Sequence, residues 1–173
     1  MSDRPRPRAE TRTRLPLLDR LLDGGQPLPP GHREPAPPER PPSPAEALQR
    51  LHDAVRRDLE ALLNARRRRL PPPPELQELS LSPIGYGIPD AAAGTFAIEE
   101  RRVALAREVE LAIQRFEPRL TNITVTLRPP VREFERTLRL RVDAMLRTDP
   151  IPEPVGFETV VEAGTLDVAV REV

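Results

Sequence analysis

The 173-residue chain contains no cysteine, no lysine and no tryptophan, and only five aromatic residues, Tyr86 and four Phe. Without cysteine there is no disulfide framework and no thiolate metal site, which fits a reducing compartment. The two histidines, His32 and His52, stand twenty residues apart with no Cys, Asp or Glu at metal-ligand spacing, so the expectation is no metal and no cofactor. With no histidine in the C-terminal half, a nucleophile–histidine triad has no supporting pattern. Scarce aromatics leave no platforms for stacking bases. Acidic and basic residues balance at 27 each, which argues against a general polyanion binder, so no nucleic-acid partner is expected. No apolar run approaches the roughly 20 residues that cross a bilayer. The opening MSDRPRPRAETRTR is basic but lacks the apolar segment of a signal peptide, so the protein is expected in the cytosol.

Proline is abundant, with 24 residues against 8 glycines, and it divides the chain. Residues 1–14 carry no apolar pattern and read as a disordered basic arm. Residues 15–23, LPLLDRLLD, place Leu17, Leu18, Leu21 and Leu22 on one helical face. This segment is too short to be stable alone. It reads either as a docking peptide for a partner or as a segment that folds back on its own domain. Residues 24–42 form a Pro/Gly-rich linker. The domain proper is expected over 43–173.

Ser43, Pro44 and Glu46 make a capping box with proline at the first helical position. Leu48, Leu51, Val55, Leu59, Leu62 and Leu63 then recur at helical spacing to about Asn64. Arg66 to Arg69 follow, where positive charge offsets the helix dipole or forms an anion-binding patch. Around Gly85, Gly87 and Pro89 an ordered, turn-rich loop is expected, with the Tyr86 ring on the core. A second helix is predicted from about Ala97 to Phe116, with Ile98, Leu105, Val109, Ala112, Ile113 and Phe116 as its apolar stripe. Pro118 stops it. Ile123, Val125 and Leu127 alternate with polar residues, as do Leu138, Leu140 and Val142, and two short strands are predicted at Val155–Val161 and Leu166–Val170. The fold class is therefore α+β: two main helices, then a small, mostly antiparallel sheet.

One stretch needs more than punctuation. In FEPRL, residues 116–120, Glu117 and Arg119 flank the proline that ends the second helix. Such a couple fixes a corner by pairing with backbone or opposite charge, or is presented to a partner chain beside an exposed strand edge. Paired carboxylates, Glu117 with Glu133 or Asp143, keep acid–base chemistry open in principle, but sequence does not place them at a working separation. No acid–base constellation assembles, so no enzyme is expected and no catalytic residue is assigned.

FEPRL followed by NITVTL, 122–127, resembles the Glu-Pro-Arg signature of the baseplate wedge proteins of contractile injection machines. SPIGYGIPD, 82–90, resembles the Tyr-Gly-Leu-Pro-Asp stretch of the type VI secretion branch, the TssE proteins, although Pro83 and Gly85 replace more usual apolar and Asn residues. The helix VRRDLEALLNARR, 55–67, and, loosely, residues 15–23 are similar to the N-terminal half of that branch. The resemblance implies a non-enzymatic baseplate subunit joining the wedge partners TssF, TssG and TssK to the first layer of contractile sheath subunits. It implies a cytoplasmic, bacterial setting in a baseplate docked at the inner membrane, without insertion into it. The partner-binding role carries over only to Glu117, Pro118 and Arg119. Relatives have been labelled lysozyme-like, and a peptidoglycan hydrolase is the alternative reading.

Overall fold

A computed structural model describes residues 43–68, 70, 72, 73, 75–90, 98–129, 137–149, 151–162 and 167–173. The expected arm 1–14, the segment 15–23 and the linker 24–42 lie outside the described residues, as do Arg69, Ala97, Glu133 and the connection around Ala163-Gly164. The chain divides into two units, residues 1–54 with 148–151, and residues 55–147 with 152–173.

Helix α1, Pro44–Asn64, begins as the sequence predicts. The Glu46 N–H donates to Ser43 Oγ at 3.3 Å, and the Ser43 N–H donates to Glu46 Oε2 at 2.7 Å. This reciprocal pair occupies two donors that a helix start otherwise leaves unpaired. In the first unit, Ala47, Leu51 and Ala54 are buried along this helix.

In the second unit, Val55, Leu59, Leu62 and Leu63 continue the buried stripe to the end of α1. There Arg66 Nη1 donates to the Leu63 carbonyl at 3.2 Å. Arg67 pairs with Glu108 at 2.6 Å. Two of the expected arginines therefore act on helix termination and helix–helix pairing. The loop holds two 3-10 turns, Gln77–Leu81 and Pro83–Gly85. A parallel bridge joins Arg66 to Ile88.

Helix α2, Glu99–Phe116, buries Leu105, Ala106, Val109, Ala112 and Ile113. Ile98 departs from the predicted stripe. It precedes the helix in extended geometry and is 40% exposed, because the helix begins after it. Strands β1 (Leu120–Arg128), β2 (Thr137–Leu146), β3 (Glu153–Glu162) and β4 (Val168–Glu172) then form one sheet in the order β1-β2-β3-β4. Every pairing is antiparallel. The fold is α+β, as expected, and α2 packs against β1.

On β2 the period of two is complete: Leu138, Leu140, Val142, Ala144 and Leu146 are buried and their neighbours are not. Val142 stands opposite Phe157, whose ring is the largest fully buried side chain. Helix α2 thus covers one face, and Thr124, Thr126, Arg139, Arg141 and Asp143 lie on the other. In β1 the register shifts between Thr121 and Thr124, where Asn122 takes a φ of 51°. Asn is among the residues that tolerate this left-handed geometry, and the bulge returns Ile123 to the buried face.

Candidate partner-binding site

The α2–β1 corner is built from its backbone outward. The Glu117 N–H closes the last helical turn on the Ile113 carbonyl at 2.9 Å, and Glu117 then leaves helical geometry (φ −120°, ψ 77°). Proline disfavours helical geometry in the residue before it. The Glu117 carbonyl accepts from the Leu120 N–H at 3.1 Å. This makes a four-residue turn with Pro118 at its favoured second position, and β1 starts directly from it.

Across this turn Arg119 folds back on Glu117. Arg119 Nε donates to Glu117 Oε1 at 2.5 Å, and its backbone N–H reaches the same oxygen at 3.3 Å. Nη2 donates to Glu117 Oε2 and, at 2.6 Å, to Asp58 Oδ2 on α1. Glu117 is 4% exposed. A buried carboxylate costs several kcal/mol, on the order of the stability of a small domain, unless it is paired and hydrogen-bonded. The planar guanidinium supplies both, with a geometry that an ammonium lacks. Burial alone would lower the Arg119 pKa. The hydrogen bonds that Arg119 donates to Glu117 and Asp58, together with the charges of those carboxylates, outweigh it and hold the pKa above its ordinary value.

Beside this cluster the Tyr86 ring meets Phe116 edge-on, 5.2 Å between centroids at 73°. The expected packing of Tyr86 on the core is thus packing on the end of α2. A cleft of about 360 Å³ runs between Tyr86, Asp58, Leu62 and the corner, with Pro118 exposed at it. Burial raises the Tyr86 pKa, and the charges of Asp58 and Glu117 raise it further. Tyr86 is the chain's one tyrosine and there is no tryptophan, so tyrosinate absorbance reports this site alone. The folded chain is expected to titrate above pH 10.0, the ordinary tyrosine value. Asp58→Asn should lower that midpoint only in part, because burial is the larger cause. The stability linked to this proton is complete below the unfolded-state pKa and is lost as pH rises through the folded one. A wild-type midpoint at or below the ordinary value would contradict this arrangement.

The sequence missed three residues that position the site. Asp58 borders the apolar stripe between Val55, Leu59 and Leu62, which was its one visible signal. Asn64 sits six residues further along α1, and its carboxamide bonds Val168 on β4. From α2, Glu110 Oε2 accepts from the Val125 N–H at 3.0 Å. One helix therefore ties both edges of the sheet, Asp58 through Arg119 at β1 and Asn64 at β4. Of the carboxylates considered for catalysis, Glu133 lies outside the described residues, and the structure gives Glu117 and Asp143 separate partners. Asp143 is held by Arg141 at 2.9 and 3.0 Å, while Glu117 is held by Arg119. Among the described residues no His/Cys/Asp/Glu cluster could hold a metal ion.

Over residues 49–151, which run from α1 through the corner and β2 to just before β3, the chain matches the family described as baseplate wedge protein gp25. The chain belongs to that family. It is the family of TssE. A comparison with curated proteins finds no match to the chain. Family membership gives the protein a structural role in a baseplate, in contact with other baseplate proteins. Among the described residues no helix is long and apolar enough to cross a membrane.

Proposed function

We propose that the protein is the TssE-type subunit of a type VI secretion baseplate. It links the wedge partners TssF, TssG and TssK to the first layer of the contractile sheath by strand addition near the Glu117-Pro118-Arg119 corner. It acts without catalysis, on the cytoplasmic side, in a baseplate docked at the inner membrane. Residues 43–173 are the wedge domain, and residues 15–23 are a docking segment on a proline-rich tether. The observation that carries this reading is the corner itself. An ion cluster fixes a turn directly ahead of an edge strand, which holds both the exposed Pro118 and the strand start in one geometry for a partner. Within this reading Glu117 and Arg119 shape the corner, and Pro118 is the part that a partner touches. The hydrolase alternative requires Glu117 to face a substrate, whereas its carboxylate is buried with both oxygens bound to Arg119.

The test is capture of purified wedge and sheath subunits by the full chain and by Pro118→Arg. The substitution keeps Asp58, Glu117 and Arg119 and places a long side chain on the exposed turn. The raised Tyr86 midpoint, which depends on Asp58 and Glu117, reports whether the cluster is retained. Binding is expected to weaken by about tenfold, a change of about 1.4 kcal/mol, with the fold retained. Equal binding by both proteins would remove the corner from the interface. Failure of the wild-type chain to capture either class of partner would overturn the TssE reading.

A further inference from the structure

Among the described residues Arg68, after α1, and Arg115, in the last turn of α2, pair with no carboxylate. Both are exposed. Both line a cleft of about 770 Å³ in the second unit, between α2 and the loop that holds the 3-10 turns. That volume falls in the range of about 300–1,000 Å³ that binding clefts occupy. Its apolar lining includes Leu70, 73% exposed, Ile84, 44% exposed, and the half-buried Leu111 of α2. A single exposed leucine needs no explanation, but several along one concave wall mark a surface that something covers. The cleft is also basic. Arg67 is matched by Glu108 at 2.6 Å, which leaves Asp90 as the other carboxylate of the lining, against both Arg68 and Arg115.

The chain carries a segment with the complementary features. Residues 15–23 set Leu17, Leu18, Leu21 and Leu22 on one helical face, and Asp19 and Asp23, four residues apart, flank that face together. These two acids outnumber the segment's one arginine, Arg20. The linker 24–42 joins the segment to Ser43. At about 3.1 Å per residue an extended proline-rich tether of this length spans roughly 60 Å, about twice the diameter of a small domain. It therefore delivers the segment to the cleft without strain, at an effective concentration in the millimolar range. There, a segment too short to be stable alone needs only weak affinity to stay bound.

We propose that the cleft between α2 and the loop is the docking site of residues 15–23 of the same chain. The four leucines cover Leu70, Ile84 and Leu111, and the acidic flank, Asp19 and Asp23, meets Arg68 and Arg115. The assignment rests on the reading of residues 15–23 as a docking segment and names the surface that receives it. Docking hides the exposed leucine and isoleucine side chains of the cleft and gives both arginines an opposite charge.

The absence of cysteine makes a site-specific test simple. A nitroxide on Thr13→Cys in the full chain is expected to broaden the amide signals of Ile84 and Leu111, equally at low and high protein concentration. The amides of Leu18 to Leu22 are expected to exchange about tenfold more slowly than in a synthetic peptide of residues 15–23, which corresponds to about 1.4 kcal/mol of docking. Arg68→Glu/Arg115→Glu should abolish both effects, and adding Asp19→Arg/Asp23→Arg should restore them. Restoration separates lost pairing from a damaged fold. Both effects persisting in Arg68→Glu/Arg115→Glu would overturn the charge pairing. Broadening that appears only when spin-labelled and unlabelled chains are mixed would overturn docking within one chain. Protection of residues 18–22 with broadening away from the cleft would overturn the site and leave the docking reading standing. Without protection in the wild-type chain the assignment fails; the docking reading fails with it only if the peptide also captures no purified wedge subunit.

Discussion

Arg119→Ala is expected to destabilise the domain by about 3–5 kcal/mol, the range for removing one partner of a buried ion pair. The cost arises from what is left behind. Glu117 stays buried with a charge that nothing then compensates, and Asp58 loses a 2.6 Å bond. Asp58 is 39% exposed, so water takes over much of its share, and Asp58→Asn alone should cost only about 1 kcal/mol. Arg119→Lys keeps the charge but not the fork and should fall between the two. The double change Glu117→Gln/Arg119→Met removes the buried charge together with its partner, and it should recover a large part of the loss. Urea unfolding of the four variants gives the ordering. If Arg119→Ala lost under about 1 kcal/mol, the pair would behave as an exposed surface bridge and the corner would not depend on it. A consequence follows for binding experiments. Alanine at Glu117 or Arg119 lowers partner capture by loosening the turn, whether or not either side chain touches a partner, so the exposed Pro118 is the informative position.

The local half of this structure is legible in the sequence, and the long-range half is not. Ser43-Pro44 and Pro118 bound the two helices because capping and the missing proline N–H act within four residues. The strands announce themselves because burial of one sheet face imposes a period of two. The corner was recognisable as unusual, since two charges beside a proline exceed what a stop requires. Its closing residue, Asp58, was not recognisable. It lies 61 positions from Arg119, and among 27 acidic and 27 basic residues no periodic signal selects that pair. The same holds for Asn64 and Val168, 104 positions apart. Such pairings are decided by tertiary packing, which one residue's neighbours do not encode. Glu110 to Val125 spans only fifteen positions, yet it also escaped, because its acceptor serves a backbone amide and not an opposite charge. Ile98 failed for a different reason. Its periodicity fits the apolar stripe, but the helix starts one residue later, and periodicity alone does not mark a start that lacks a side-chain cap.

Gly87→Ala is the other change expected to have a large effect, about 3 kcal/mol or more. Two costs combine at this position. Gly87 has a φ of +99°, where an L side chain is strained by about 1–3 kcal/mol. A Cβ there would also stand 2.4 Å from the Ala65 carbonyl oxygen, an overlap with backbone at the end of α1 that no rotamer relieves and that adds a similar amount. That approach has a structural purpose. The same carbonyl accepts from the Ile88 N–H at 3.0 Å, and the Arg67 N–H donates to the Ile88 carbonyl at 2.8 Å. Gly87 thus lets the loop dock as a two-bond bridge on the segment that follows α1, with Ile88 buried beneath it. Gly87→Asn separates the two costs. Asn tolerates positive φ better than Ala but carries the same Cβ, so it should rescue only a minor part. Recovery of wild-type stability in Gly87→Asn would show that the dihedral alone matters and that the close contact does not. Thermal melting supplies the stability, and Tyr86 supplies the location of the damage. Tyr86 precedes Gly87 and leans on Phe116, so a loop lifted off α1 exposes the phenol and lowers its raised pKa toward the ordinary value. A loss of stability with an unchanged Tyr86 midpoint would place the damage elsewhere and uncouple this loop from the corner.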